Sequence, residues 1–424
     1  MRRRTLIGSL GVVGLVGCLG GEETDDEPQT PEATPTSTPD DTSAPTDSPT
    51  STPTDAESAV DAEPAVDEEL ADRYESVVDV VAAGADPAGG ELIDPVLQDV
   101  AADDTLLVVP AGEYRIDSTG LRGYANLGLV AESGSNPEFH PVSASQSVLA
   151  FDGGRDAHLE GIRFVQTDPD VGGTVRMNVA GDFVMRDIVK EGTHPRTEDD
   201  RGTAGFNVGV FDPDGTGVVE RCSAPDGDNR SGRGAVGMFV HRNHTGTLYV
   251  RDCHLEGFTD NGLYGSAPSL DDGGPVHVEG GLYRNNNIAG VRVASAGCSI
   301  RDVTIVNDSS VSFDYATNQR GIWMPYPKDD ITIENVDICQ RVDDEDTAGD
   351  LGAGIVIGQP EAGGRVEDVR IRNDGDAPAI HLGGENPGWT GTDIHLTGDG
   401  DMTYPEAFEN VCVGDDCDGP VDCA

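Results

Sequence analysis

Positive charge is scarce in this chain: 424 residues hold 27 Lys and Arg against 78 Asp and Glu, a formal charge of −51. The few cations form no basic cluster of the kind phosphate recognition needs, so nucleic acid is not expected as a partner. Aromatic residues make up only 5%, which points to a narrow core filled by Val, Ile and Leu. Long hydrophobic runs are missing too. The apolar run that closes at Cys18 falls well short of the roughly 20 residues that span a bilayer. Cysteines number 8, and setting Cys18 aside leaves an odd count that cannot all pair within one chain.

What is abundant is glycine, 56 residues, as in a fold that turns several times per unit. The acids are spread along the whole chain, which reads as adaptation to high salt and makes any single Asp or Glu a solvated surface group. Between Thr174 and Leu382 a pattern of small, apolar, variable, apolar residues returns about every thirty positions. Its copies include Thr174-Val-Arg-Met177, Gly237-Met-Phe-Val240, Gly290-Val-Arg-Val293 and Gly354-Ile-Val-Ile357. A second pattern alternates with it, as in Met185-Arg-Asp-Ile188, Val250-Arg-Asp-Cys253 and Ile300-Arg-Asp-Val303. Two short β patterns per repeat, in constant order, describe stacked coils that cannot bury their apolar faces singly. The expected class is all-β, a right-handed parallel β-helix of about nine coils, because parallel crossovers are overwhelmingly right-handed.

In the second pattern a bend slot holds Gly161, Asp187, Arg221, Asp252, Gly280, Asp302, Asn335 and Asp368, mostly types that accept left-handed backbone. The residue before each bend is Glu160, Arg186, Glu220, Arg251, Glu279, Arg301, Glu334 and Glu367. Stacking would place these opposite charges next to one another, a structural ladder that removes Arg186, Arg251 and Arg301 from any active site. Cys222 and Cys253 share one slot in consecutive coils and read as stacked core residues. Cys412, Cys417 and Cys423 are expected to give one disulfide in an exported protein.

The opening Met1-Arg-Arg-Arg-Thr-Leu-Ile7, closed by Leu15-Val-Gly-Cys18, resembles a haloarchaeal-type twin-arginine lipoprotein signal. That resemblance implies export over residues 1–18, lipidation of Cys18 and attachment at the outer face of the cytoplasmic membrane, with the lipid as the sole membrane contact. Residues 19–66 are Thr, Pro, Ser, Asp and Glu with almost nothing to bury, and read as a disordered acidic stalk. Sequons at Asn229, Asn243 and Asn307 suit loops of an exported protein. The remaining domain runs from 67 to 424, with a cap at 77–116 and an irregular tail at 401–424.

Val77-Val-Asp-Val-Val-Ala-Ala-Gly-Ala-Asp86, a helical stretch from Glu91 to Ala102, and Leu106-Leu-Val-Val-Pro-Ala-Gly-Glu-Tyr-Arg-Ile116 resemble the opening of pectate-lyase-like right-handed β-helix proteins. There the helix closes the end of the coil, and the first-pattern strand with its loops forms a polysaccharide groove. Here the variable position of that strand reads Arg176, Asn207, Phe239, Tyr264, Arg292, Trp323, Val356, His381, with no carboxylate. Aromatics beside cations suit sugar faces and anions. Insertions at 190–203, 223–236, 306–320 and 340–353 would wall this strip, and residues 190–255 read as a relatively cationic zone.

The superfamily's catalytic signatures mostly do not match: Arg196-Thr-Glu-Asp-Asp-Arg201 keeps a lyase arginine spacing without its proline. The expected partner is an acidic polysaccharide, cleaved by β-elimination. Arg176 and Asn207 would neutralise its carboxylate, His241 would be the base and Tyr264 the acid, with Arg201 reaching in. Asn178, Phe239, Arg233, Arg292, Trp323 and His381 would bind substrate. No cofactor is required by this reading; calcium at Asp212-Pro-Asp-Gly215 or Asp226-Gly-Asp-Asn229 is the one metal considered. The alternatives are a non-catalytic surface glycan-binding or envelope protein, and a glycoside hydrolase. A monomer is expected.

Overall fold

The structure is a computed structural model that describes residues 65–424 apart from 196–202, 229–233, 269–272, 310–317, 343–351, 361, 385–387, 418–420, 422 and 424. The unit Pro64–Ala424 is a right-handed parallel β-helix. Each coil contributes a strand such as Phe183–Arg186, a two-residue bend whose first residue is left-handed, a strand such as Val189–Glu191, and a loop into a third strand such as Ala204–Val210. The third strands form their own sheet of ten, from Thr119–Arg122 to Ile380–Leu382, and every pairing in it is parallel.

The bends explain why the two other strand columns stay distinct. Asp187, Arg221, Asp252, Asp302, Asn335 and Asp368 sit at φ between 49° and 56°, and Gly161 and Gly280 at 75° and 71°. All eight expected bend positions are left-handed. The charge ladder stands as read: Glu160, Arg186, Glu220, Arg251, Glu279 and Arg301 are successive register partners. Arg186 meets Glu160 at 2.9 Å and Arg251 meets Glu279 at 2.7 Å.

Inward positions fill the solenoid with apolar side chains, among them Met177, Val208, Met238, Val250, Ile300 and Ile355, all fully buried. Cys222 and Cys253 are buried free thiols in this core, joined by Cys298. The small residue that opens the groove-strand pattern has a steric cause. A Cβ on Gly237 would lie 2.6 Å from the carbonyl oxygen of Gly262, and one on Gly354 2.7 Å from that of Ala379. Consecutive coils approach too closely there for a side chain.

The expected helix over the open end is present but shorter, Asp94–Val100. Leu92 bridges Arg115 and Ile93 N donates to Arg115 O at 2.9 Å, which anchors the helix start to the strand Glu113–Ile116, and Pro95 sits in the first turn, where its missing N–H is not needed. Leu97 is buried against the end of the core. Asp94 accepts from Asp117 N, Ser118 N and Thr119 Oγ1 at 2.8–3.0 Å, tying the cap to the first groove strand. Residues 65–74 lie as a strap on the outer side of the first strand column. Tyr74, Val66 and Leu70 pack on Leu106, Val108 and Val130 there.

Two sequence expectations about the tail need correction. The tail is not wholly irregular: Val411–Val413 adds a parallel strand to Thr390–Thr397. Cysteines 412, 417 and 423 enter two disulfides, Cys412–Cys417 and Cys339–Cys423. Cys339 was hidden because it belongs to a strand, Ile331–Gln340, where its side chain is covered only when the tail returns with Val421.

Candidate active site on the ten-stranded sheet

The outward strip exists in register. Arg176, Asn207, Phe239, Tyr264, Arg292, Trp323, Val356 and His381 are successive partners across eight neighbouring strands. Below Arg176 the strip begins with Gly120 and Ala150. A parallel row two residues further along holds Arg122, Asp152, Asn178 and Gly209. His241 follows in it: a Cβ at Gly209 would lie 2.9 Å from the Cβ of His241 and 3.1 Å from Asn178 Oδ1. Arg176, Asn178, Asn207 and His241 therefore converge on three adjacent coils, around a floor left without a side chain at Gly209.

Asp152 completes this cluster and was missed from sequence. Its strand, Ala144–Asp152, has Val148-Leu-Ala-Phe151 where later coils carry a small residue and a polar variable position, so the repeat was not recognised there. The signal that remained was the alternating run itself, about one repeat length before Arg176. Asp152 takes the Arg176 guanidinium at 3.5 Å and that of Arg122 at 3.8 Å. Asn178 Nδ2 donates to Asn207 Oδ1 at 3.1 Å, which leaves the amide donor of Asn207 for a ligand. Arg176 Nε and Asn178 Oδ1 are buried with no hydrogen-bond partner among the described residues. A donor and an acceptor side by side match a sugar hydroxyl.

Burial, then the charges of Arg176 and Arg242, hold the imidazole of His241 below its ordinary range, against the opposing pull of Asp152. It is therefore neutral at neutral pH. Its Nδ1 accepts from Asn243 N at 3.2 Å, which places the proton on Nε2. In this tautomer His241 is a donor towards a ligand, and it becomes a base only when the Asn243 bond is exchanged. The ring packs against Phe211 at 5.1 Å between centroids. His241 also opens the turn closed by His244 N on His241 O at 2.9 Å, so the residue belongs to both the turn and the outward row.

Beyond His241 the strip is aromatic. Phe239 meets Tyr264 edge to face at 5.4 Å, and the Arg292 guanidinium lies 4.2 Å from the Tyr264 centroid and 4.1 Å from that of Trp323. Tyr264 thus stands one coil past His241, engaged in a stack. Asp260, on the same coil, carries a carboxyl raised by burial despite the nearby charge of Arg292. His381 occupies the last strand of the sheet. Arg201, Arg233 and Cys18 lie outside the described residues, as does part of each walling insertion.

Of the cationic zone read over residues 190–255, Arg196, Arg201, Arg230 and Arg233 lie outside the described residues. Lys190 is buried and donates to Gln166 Oε1 at 2.6 Å and Gly173 O at 2.7 Å, while Arg221 pairs with Asp187. His194 and His244 are buried. The sequon at Asn307 is corrected, since its side chain is fully buried and donates to Gln340 Oε1 at 2.8 Å. For calcium, Asp226 accepts from Gly192 N and Asp228 from Ala235 N, each at 2.8 Å. Among the described residues no three acidic, His or Cys side chains converge as a metal set.

No family model matches the sequence, and no curated protein does. Among solved structures, a pectate lyase covers 79% of this chain and 78% of its own at 12% identity and a TM-score of 0.47. The A-module of a mannuronan C-5 epimerase from Azotobacter vinelandii covers 79% and 97% at 16% identity and 0.45. A surface protein and adhesin from Streptococcus pneumoniae covers 80% and 100% at 10% identity and 0.36. These are proteins to which the chain is similar in fold.

Proposed function

We propose that the ten-stranded sheet carries a polysaccharide groove, and that the protein cleaves an anionic polysaccharide there by β-elimination. The observation that carries this reading is the convergence of Arg176, Asn178, Asn207 and His241, with Asp152 behind them, on adjacent coils beside an aromatic strip. Arg176 and the free amide of Asn207 would neutralise the uronate carboxylate, which acidifies the neighbouring C–H. His241, neutral and half-buried, would take that proton on Nδ1 once the bond from Asn243 N is exchanged; the C–O bond to the leaving sugar breaks as the C=C bond forms. Tyr264 would protonate the leaving oxygen. Asp152 holds the Arg176 guanidinium in the groove and is a positioning residue.

Hydrolysis needs two carboxyl groups about 5–9.5 Å apart. On the outward rows the described carboxylate is Asp152, and Asp260, in the turn before the strand Leu263–Gly265, belongs to a coil four steps away, about 19 Å at ~4.8 Å per strand. That separation favours elimination over a glycoside hydrolase. Export with a Cys18 lipid anchor is part of the same proposal, and the two disulfides support an oxidising compartment.

The test is release of unsaturated products from acidic polysaccharides by the native protein, with His241→Ala and Arg176→Leu beside it. Turnover by the native chain, lost by at least about 100-fold in both variants, is expected. Unchanged turnover in His241→Ala removes that residue from the chemistry. Binding without cleavage would make this a glycan-binding surface protein. Repeating the assay with a chelator tests the calcium expectation.

A further inference from the structure

Most of the described arginines are matched with a carboxylate, among them Arg163 with Glu138, Arg251 with Glu279 and Arg370 with Asp337. Arg292 is different. It makes no ion pair and no hydrogen bond among the described residues, and its Nε is buried and unpartnered. Yet the chain holds 78 acids. The guanidinium is clamped between Tyr264 and Trp323, with centroids at 4.2 and 4.1 Å, and Arg320 covers the Trp323 ring at 4.5 Å. Tyr326, 52% exposed, follows two residues past the end of the Trp323 strand pattern.

A guanidinium held about 4 Å from two ring centroids is shielded from water by both rings and has little freedom to turn. What it still offers is its in-plane fork of N–H groups, the geometry that takes a carboxylate or sulfate bidentately. The flanking rings supply the apolar faces on which sugars lie. Asp260 lies near but forms no ion pair with Arg292, and its own carboxylate accepts from Asn261 N at 2.8 Å. Arg292 stands four strands from Arg176, about 19 Å at ~4.8 Å per strand.

We propose that Arg292, between Tyr264 and Trp323, is a second anion-binding point on the groove, and that the ligand is a polyanionic chain gripped at two charges about 19 Å apart. This deepens the polysaccharide reading and rests on it. A single uronate or a disaccharide seated at Arg176 does not reach Arg292. An acidic chain several sugars long reaches both, and the second contact adds affinity as an intramolecular event.

The experiment is calorimetric titration of the full chain with oligogalacturonates and oligomannuronates of two and of eight sugars, for the native protein, Arg292→Leu, Arg292→Lys and Arg176→Leu. The native protein is expected to bind an octamer at least about tenfold more tightly than the matching dimer. Arg292→Leu should erase that difference while leaving dimer affinity unchanged; Arg292→Lys should restore little, because an ammonium neither stacks nor forks. Trp323 gives a second readout that needs no variant, since the other tryptophan, Trp389, is buried at 1% exposure. Its emission should shift with octamers and stay constant with dimers. Equal octamer binding by Arg292→Leu, or a Trp323 signal blind to length, overturns the second point alone. Native protein that binds no acidic chain of either length overturns this inference and the polysaccharide reading together.

Discussion

Asp152 meets Arg176 from the neighbouring strand at 3.5 Å, so the guanidinium proposed to take the substrate's carboxylate is already held by a carboxylate of the protein. That carboxylate orients the guanidinium and also repels an incoming anion. Asp152→Asn removes the repulsion and the orientation together. Binding should tighten, with KM falling about threefold, while kcat falls about tenfold through misplacement of Arg176. Steady-state kinetics on the cleaved glycan check the split; a structural role alone would leave both constants in step with protein stability.

Arg221 occupies a left-handed bend at φ 50° and forks onto Asp187, the bend residue one coil earlier, at 2.8 and 2.7 Å. Both side chains are close to half exposed, 47% and 41%, so the pair contributes at most about 1 kcal/mol. Left-handed backbone costs a residue such as Arg about 1–2 kcal/mol, and Asn tolerates it, as Asn335 does at the same φ. Arg221→Asn should therefore leave the protein as stable or raise it by about 0.5–1 kcal/mol. Arg221→Val should destabilise it by more than about 1 kcal/mol. Urea midpoints distinguish the two.

His244 is fully buried, with Nδ1 accepting from Val210 N at 3.2 Å and Nε2 facing Pro275 O at 3.4 Å. Burial pushes its pKa down to about 4, and His194 is lowered in the same direction by burial and Lys190. The unfolded chain therefore takes up protons first as pH falls. This contribution to stability is intact above the ordinary histidine value near 6.5 and is lost progressively towards pH 4. Melting temperature should fall steadily over that interval. His244→Gln should be less stable at pH 7, by on the order of 1–3 kcal/mol, and show a shallower slope.

The disulfide between Cys339 and Cys423 closes a span of 84 residues, for which chain entropy alone gives about 4–5 kcal/mol. Cys412–Cys417 spans 5 residues and should contribute about half as much. Replacing Cys339 and Cys423 by Ala should lower the melting temperature more than replacing Cys412 and Cys417. It should also release Val421 from Val306, so limited proteolysis would cut the tail first.

The fold was legible because one coil has to repeat. Strands, bends, the Glu–Arg ladder and the outward strip all follow from slots that recur with the same chemistry, so each copy corroborates the others. Asp152 was illegible for the same reason: its coil carries Ala150 at the variable slot and announces nothing. Asn178 and His241 could be placed because strand alternation extends two residues beyond a known outward position. What period cannot supply is side-chain pairing. The tautomer of His241 depends on Asn243, the isolation of Arg292 on what its neighbours fail to offer, and the burial of Lys190 on the acceptors Gln166 and Gly173. Cys339 paired with Cys423 for a reason of topology, the return of the tail across the second strand column.

The strap at residues 65–74 also fixes how the solenoid would carry load. Ala65 O accepts from Ser133 N at 2.7 Å, Arg73 O from Asn126 Nδ2 at 2.8 Å, and Tyr74 rests beside Leu106. A pull transmitted through the residues before Ala65 reaches this strap before it reaches any coil. The strap is fastened across several strands, so it peels off one contact at a time, and the tension on the first coil rises only after Tyr74 has let go. A protein towed by its leading end would yield there first, with the groove strands still in register.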